Sequence, residues 1–329
     1  MAAINRDRRR SLCIATGATL AGLAGCVPGR EATFGGAAFD PRHDVASPLP
    51  AARVPESPTP SSVEFRRQWY ERGAELSRFE VIRRRYGEPR RSRAVFVFVT
   101  EPFRRDALVK ADTSGGEATV DVLKLNWIER FTTGIYDYSL MTSAFTPLED
   151  LGGAAAGGLS TTTSIQDWCG HTWLQWRREA DALRGVGHSY FERENQRRVE
   201  FERDVWLEDG LWSLVRISPA RLPLGEVRMM PAAFHVRLDH RDLGPRRAVC
   251  ELHDVGDGVL RYAISYPDAR REMSIVFAAE FPHSIESFRE TVAGDVVTEG
   301  VRVATEMLPY WELHDVASEP LRDRLQLPR

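Results

Sequence analysis

Along most of the chain, apolar and polar residues alternate with a period of two, the signature of strands that bury one face. Val95-Phe96-Val97-Phe98-Val99-Thr100 is a β-branched and aromatic run of strand length. In 198–206, Val199, Phe201 and Val205 alternate with Arg198, Glu200, Glu202 and Asp204, which places the charges on one sheet face. Asp209-Gly210 then reads as a hairpin turn before a strand from Leu211 to Ile217. Gly256-Asp257-Gly258 turns the chain into Val259–Tyr266, Pro267-Asp268 reverses it, and Met273, Ile275 and Phe277 alternate again. Val301, Val303, Thr305 and Met307 give one more strand, and His235 and His240 flank another. Segments 63–72 and 173–184 admit either a helix or a strand. Successive hairpins on short turns predict a mainly β protein with few short helices: a large antiparallel meander forming an open curved sheet or half-barrel.

The pattern fails at the two ends. A basic start (Arg6, Arg8, Arg9, Arg10) precedes an apolar run from Leu12 to Leu23 that ends in Leu23-Ala24-Gly25-Cys26. That run is too short to span a hydrocarbon core, which needs about 20 residues, so residues 1–25 read as a cleaved signal peptide. The last four residues look like a lipobox, in which cleavage leaves Cys26 as a lipid-bearing N-terminus. Residues 26–62 hold seven of the chain's 19 prolines and no apolar periodicity, which predicts a tether. The β domain is expected over 63–316, with a Gly/Ala loop tip at 152–158 and a polar, loosely held tail at 317–329.

Composition narrows the function more by exclusion than by assignment. Loss of residues 1–25 removes four arginines and Asp7, so the formal charge moves from −3 to about −6. That acidic balance gives no basic stripe for nucleic acid. There is no Cys-x-x-Cys, His-Glu-x-x-His, Gly-x-Ser-x-Gly or phosphate loop, so no metal, cofactor or common catalytic motif is read. With Cys13 and Cys26 accounted for, Cys169 and Cys250 either pair or stay as two separate buried thiols.

The densest candidate chemistry is Ser164-Ile165-Gln166-Asp167-Trp168-Cys169-Gly170-His171-Thr172-Trp173. On a strand, Asp167, Cys169 and His171 share one face, a thiol beside an imidazole that a carboxylate can orient. A second candidate is aromatic: Tyr136, Tyr138, Trp168 and Trp173 suit an acyl chain or sugar, although sheet aromatics usually form core. Arginines at Arg83-Arg84-Arg85 and at Arg90, Arg91 and Arg93 suit anionic headgroups or an ordinary solvated face.

A series of short segments resembles an uncharacterised bacterial envelope family found in secreted or lipoprotein form. It comprises Trp69-Tyr70, Arg85-Tyr86-Gly87-Glu88, Phe98-Val99-Thr100-Glu101, Leu123-Lys124-Leu125-Asn126, Thr133-Gly134-Ile135-Tyr136-Asp137-Tyr138-Ser139, Met141-Thr142-Ser143, the 164–171 cluster and Ser189-Tyr190-Phe191-Glu192. Members are sometimes labelled septum formation inhibitor Maf, but the Ser-x-Ser-Pro-Arg-Arg-like motif of Maf pyrophosphatases is absent here. At fold level the expected sheet is similar to lipoprotein carriers. The resulting expectation is a lipid-anchored envelope protein, held to the membrane through Cys26, that binds an apolar or amphipathic envelope ligand, a lipid or glycan, in the concavity of its sheet. Val27 after the cysteine, in place of a retaining aspartate, points to the outer membrane facing the periplasm. The alternatives are a hydrolase or transferase using Cys169 and His171, or a structural lipoprotein acting through a protein partner.

Overall fold

The computed structural model describes residues 40–44, 51–52, 54 and 56–328; the segment 1–25, read from the sequence as a signal peptide, and Cys26 lie outside them. Its strands are β1 (Ala74–Arg85), β2 (Glu88–Arg104), β3 (Val109–Lys110), β4 (Thr119–Thr133), β5 (Tyr136–Pro147), β6 (Ser160–Asp167), β7 (Gly170–Arg178) and β8 (Ala182–Ser189). They continue as β9 (Arg197–Glu202), β10 (Trp206–Leu207), β11 (Gly225–Met230), β12 (Arg246–Asp254), β13 (Val259–Tyr266), β14 (Arg271–Ala278), β15 (Ile285–Val292) and β16 (Asp295–Leu308). Three short α-helices interrupt them: α1 (Val63–Arg66), continued by a π-helical turn to Glu71, α2 (Glu208–Ile217) and α3 (Ala233–Leu238).

All 16 strands belong to one sheet, whose path starts at β10, passes through β11–β16 to β1, and ends on β9, with β3 paired on β2. Neighbours are antiparallel apart from β10 and β11. The mainly β, open antiparallel architecture is thus the one the alternation implies. The two ends of the sheet are also consecutive in sequence, and an ion pair from Arg228 on β11 to Glu202 on β9 spans them at 2.8 Å. The sheet therefore curls into a near-barrel with an open seam.

What fills the curl departs from the sequence reading. Residues 208–217 form a helix, not a hairpin and strand, and every residue of α2 is buried. A segment wrapped on all sides has no polar face to separate a period of two from one of 3.6, so alternation could not decide between them. Trp212 packs edge-on against Phe96 at 5.6 Å, Trp127 at 5.0 Å and Phe288 at 5.4 Å, side chains of β2, β4 and β15. Gly210 is required by contact, because a Cβ there would lie 1.7 Å from the carbonyl oxygen of Gly157. That contact also corrects the loop tip at 152–158: it is a 3-10 turn, Gly153–Gly157, buried beneath α2.

The strand expected between His235 and His240 is also absent; His235 lies on α3 and His240 follows it. Here a tertiary contact sets the structure. The carboxylates that open α2 accept from the first amides of α3, Glu208 from Ala232 and Asp209 from Ala233, each at 3.1 Å. Residues 173–184 take the extended alternative, as the end of β7 and start of β8, whereas 63–71 are helical. The tail contains a 3-10 segment, Val316–Leu325, with Leu325 buried and Gln326 accepting from Arg78. Within the proline-rich stretch, Asp40–Asp44 docks on the sheet: the His43 ring lies 2.7 Å from the Ser274 hydroxyl and 3.0 Å from that of Ser287.

Candidate functional site

Four hairpin connections bring the candidate residues to one end of the near-barrel. Arg85 and Glu88 close the β1–β2 turn over Tyr86-Gly87, and Thr133 and Tyr136 close β4–β5 over Gly134-Ile135. Asp167 and Gly170 close β6–β7 over Trp168-Cys169, while the β8–β9 connection carries Tyr190 and Phe191. Turn chemistry favours Gly, Asn, Asp and Ser at such tips. Here they present Tyr86, Ile135, Trp168 and Tyr190, which are 61%, 83%, 71% and 46% exposed. Tyr86 does so at φ +55°, a conformation a bulky residue adopts only at an energetic cost.

The tips touch one another. The Tyr86 hydroxyl lies 2.7 Å from that of Tyr138 and accepts from that of Tyr136 at 3.2 Å. Tyr136 meets Trp168 at 6.3 Å between ring centroids, and Tyr138 stacks on Phe131 at 4.8 Å. Arg85 sits over the Tyr86 ring at 4.6 Å and donates to the Leu238 carbonyl at 2.6 Å, tying the cluster to α3. The Tyr190 ring lies over Gly170, where a Cβ would come within 2.7 Å of it. Burial raises the pKa of the Tyr86 phenol, but hydrogen bonds from Tyr136 and Tyr138 and the charge of Arg85 outweigh it, so the net shift is down. Tyr138 moves up instead, through its burial and its hydrogen bond to Tyr86.

Three of the four aromatic candidates, Tyr136, Tyr138 and Trp168, therefore converge. Trp173 does not; it lies on the other face of β7 from Leu174 and Trp176, against His188 at 5.8 Å. Asp167, Cys169 and His171 do not share a strand face, because Trp168-Cys169 is the turn itself and His171 pairs with Gln166 across it. The Asp167 carboxylate is occupied in forming that turn, accepting from the amides of Cys169 at 2.7 Å and Gly170 at 3.1 Å. No hydrogen bond joins Cys169 to His171 among the described residues. Cys169 is exposed and Cys250 buried, and both are free thiols, so the alternative of a Cys169–Cys250 bridge is not realised. Burial pushes the Cys250 thiol up to about 11, so it stays protonated at neutral pH. Among the described residues no group of His, Cys, Asp or Glu is arranged to hold a metal, and no helix is long and apolar enough to cross a membrane.

The arginine cluster read from the sequence divides. Arg83 is buried in a two-point pair with Glu129, at 2.7 and 3.0 Å, and Ser92 and Trp127 donate to the same carboxylate. Arg271 likewise makes a two-point pair with Glu208, at 2.7 Å to each oxygen, and reaches Glu290 at 2.6 Å. These buried charges are satisfied by one another: the first pair ties β1 to β4, and the second ties α2 to β14 and β15. No local pattern reveals them, since the partners are 46 and 63 residues apart.

No family model matches the chain, and no curated protein matches it. Among solved structures, the crystal structure of a β-barrel-like protein of domain of unknown function DUF1849 from Brucella abortus aligns over 72% of this chain and 98% of its own, at 10% identity and a TM-score of 0.43. Nothing about ligand or reaction follows from that likeness.

Proposed function

We propose that this is a lipid-anchored envelope protein, tethered through Cys26, that binds an amphipathic ligand on the aromatic end of its near-barrel and not in the concavity of the sheet. The observation that carries the reading is the convergence of Tyr86, Tyr136, Trp168 and Tyr190 at four separate connections over the buried Tyr138, with the rings of Tyr86, Trp168 and Tyr190 left in water near Arg85. Scattered exposed apolar residues are ordinary, but a contiguous aromatic patch with polar handles suits a ligand having one apolar and one wet side. The concavity does not suit the role, since α2 and its aromatic neighbours occupy it.

Full-length protein carrying Cys26→Ser, which lacks the acylation site, provides the test, titrated with dihexanoyl phosphatidylcholine while indole emission is followed. Wild-type rings give a saturable blue shift, and Trp168→Ala weakens binding by about tenfold, the scale of one lost anchor ring. Unchanged affinity in both Trp168→Ala and Tyr86→Ala would remove the reading.

A further inference from the structure

Beside the aromatic end, the seam widens into a cleft of about 1020 Å³ between β9 and the connection from α3 to β12. Phe191, Val199 and Leu243 supply its apolar lining, and Arg193, Arg197 and Arg241 surround them. Arg237 also lines it, although only 5% of that residue is exposed. Its Nη2 lies 2.7 Å from Oε2 of Glu194, while its Nε has no hydrogen-bond acceptor among the described residues. Glu194 is itself shared, because its other oxygen lies 2.7 Å from Nδ1 of His240. One carboxylate thus serves three groups, the Ser189 hydroxyl also donating to Oε2 at 3.5 Å, and the guanidinium, with five N–H donors, is left under-satisfied. Burial lowers the basicity of Arg237 by more than Glu194 restores, consistent with a charge short of partners.

We infer that this cleft is an anion site for the phosphate headgroup of an amphipathic ligand, with Arg237 as its fixed donor and Arg193 and Arg241 at its edge. Phosphate oxygens match the planar fork of a guanidinium and would supply the acceptors Arg237 lacks. Glu192 and Asp242 also line the cleft, which restricts it to one compact anion and disfavours a polyanion. The cleft is continuous with the aromatic end: Phe191 packs on Tyr190 at 4.1 Å and on His240 at 4.6 Å. The inference rests on the proposed function for the apolar part of the ligand, and on the arginines alone for its head.

The test is calorimetry on the full-length Cys26→Ser chain with dihexanoyl phosphatidic acid, dihexanoyl phosphatidylcholine and inorganic phosphate as separate probes. Phosphatidic acid is expected to bind about tenfold more tightly than phosphatidylcholine, as charge-assisted hydrogen bonds require. Arg237→Gln abolishes that preference, and the paired change Arg193→Gln with Arg241→Gln reduces it. The paired variant decides the matter if Arg237→Gln does not fold. Equal affinity for the two lipids in the wild type, or a preference undiminished in the paired variant, overturns the anion site while leaving the aromatic end intact. Arginine-dependent binding of inorganic phosphate without binding of either lipid supports the site as one for a free anion and removes the aromatic reading instead.

Discussion

His43 shows how one residue couples the N-terminal stretch to the sheet. Burial, reinforced by the charge of Arg289, lowers its imidazole from 6.5 to about 4, and burial likewise brings His283 to about 4. Both are neutral in the folded protein at neutral pH, so the unfolded chain binds more protons between these values. Stability is therefore fully present above about pH 6.5 and falls as pH drops toward 4, by about 3 kcal/mol for each ring. Urea unfolding across this window should show the slope, and His43→Gln should remove roughly half of it. Asp209 acts in the opposite sense. Burial, with Glu208 beside it, raises its carboxyl from 3.8 to about 7, so it opposes stability increasingly as pH rises through that interval. Asp209→Asn should flatten this component and stabilise the protein at pH 8; a variant less stable there than wild type would show the carboxylate to be needed. Residues of this kind were not legible in the sequence, because burial and partners come from distant strands. Tyr136, Tyr138 and Trp168 were legible as aromatic candidates, but Tyr86, which bonds to both tyrosines, was marked only by its place before a turn glycine and in the resembling segment Arg85-Tyr86-Gly87-Glu88.

At the scale of elements, tips and strands follow rules local enough to read, whereas the interior helix does not. Val259–Tyr266 appears as a strand with the bounds its alternation implies, and Gly256-Asp257-Gly258 turns the chain before it. Alternation fails at α2, where Asp209-Gly210 copies a hairpin signal but Gly210 is needed for its close approach to Gly157. Two substitutions test that account. Trp212→Ala empties the centre of the aromatic cluster and should destabilise by about 3–5 kcal/mol, measured by urea unfolding. Gly210→Ala should cost more than about 3 kcal/mol despite its better helix propensity, because the obstacle is rigid backbone. A neutral or stabilising Gly210→Ala would show that α2 and the 153–157 turn are not pressed together.

For the whole molecule, the consequence of α2 is a division of labour between inside and rim. The alternation correctly implies one open, curved antiparallel sheet, but it cannot tell whether the concavity is empty, since a ligand and a buried helix demand the same apolar inner face. With the concavity filled by the chain itself, the proposed recognition falls to the hairpin tips and the seam. Hydrogen exchange on full-length Cys26→Ser protein, with and without dihexanoyl phosphatidic acid, tests this most directly. The account predicts slower exchange confined to the tips around Tyr86, Ile135 and Trp168 and to the 189–194 connection, with the amides of Glu208–Ile217 unchanged. Ligand-dependent change in α2 and the strand segments facing it, with none at the tips, would contradict it.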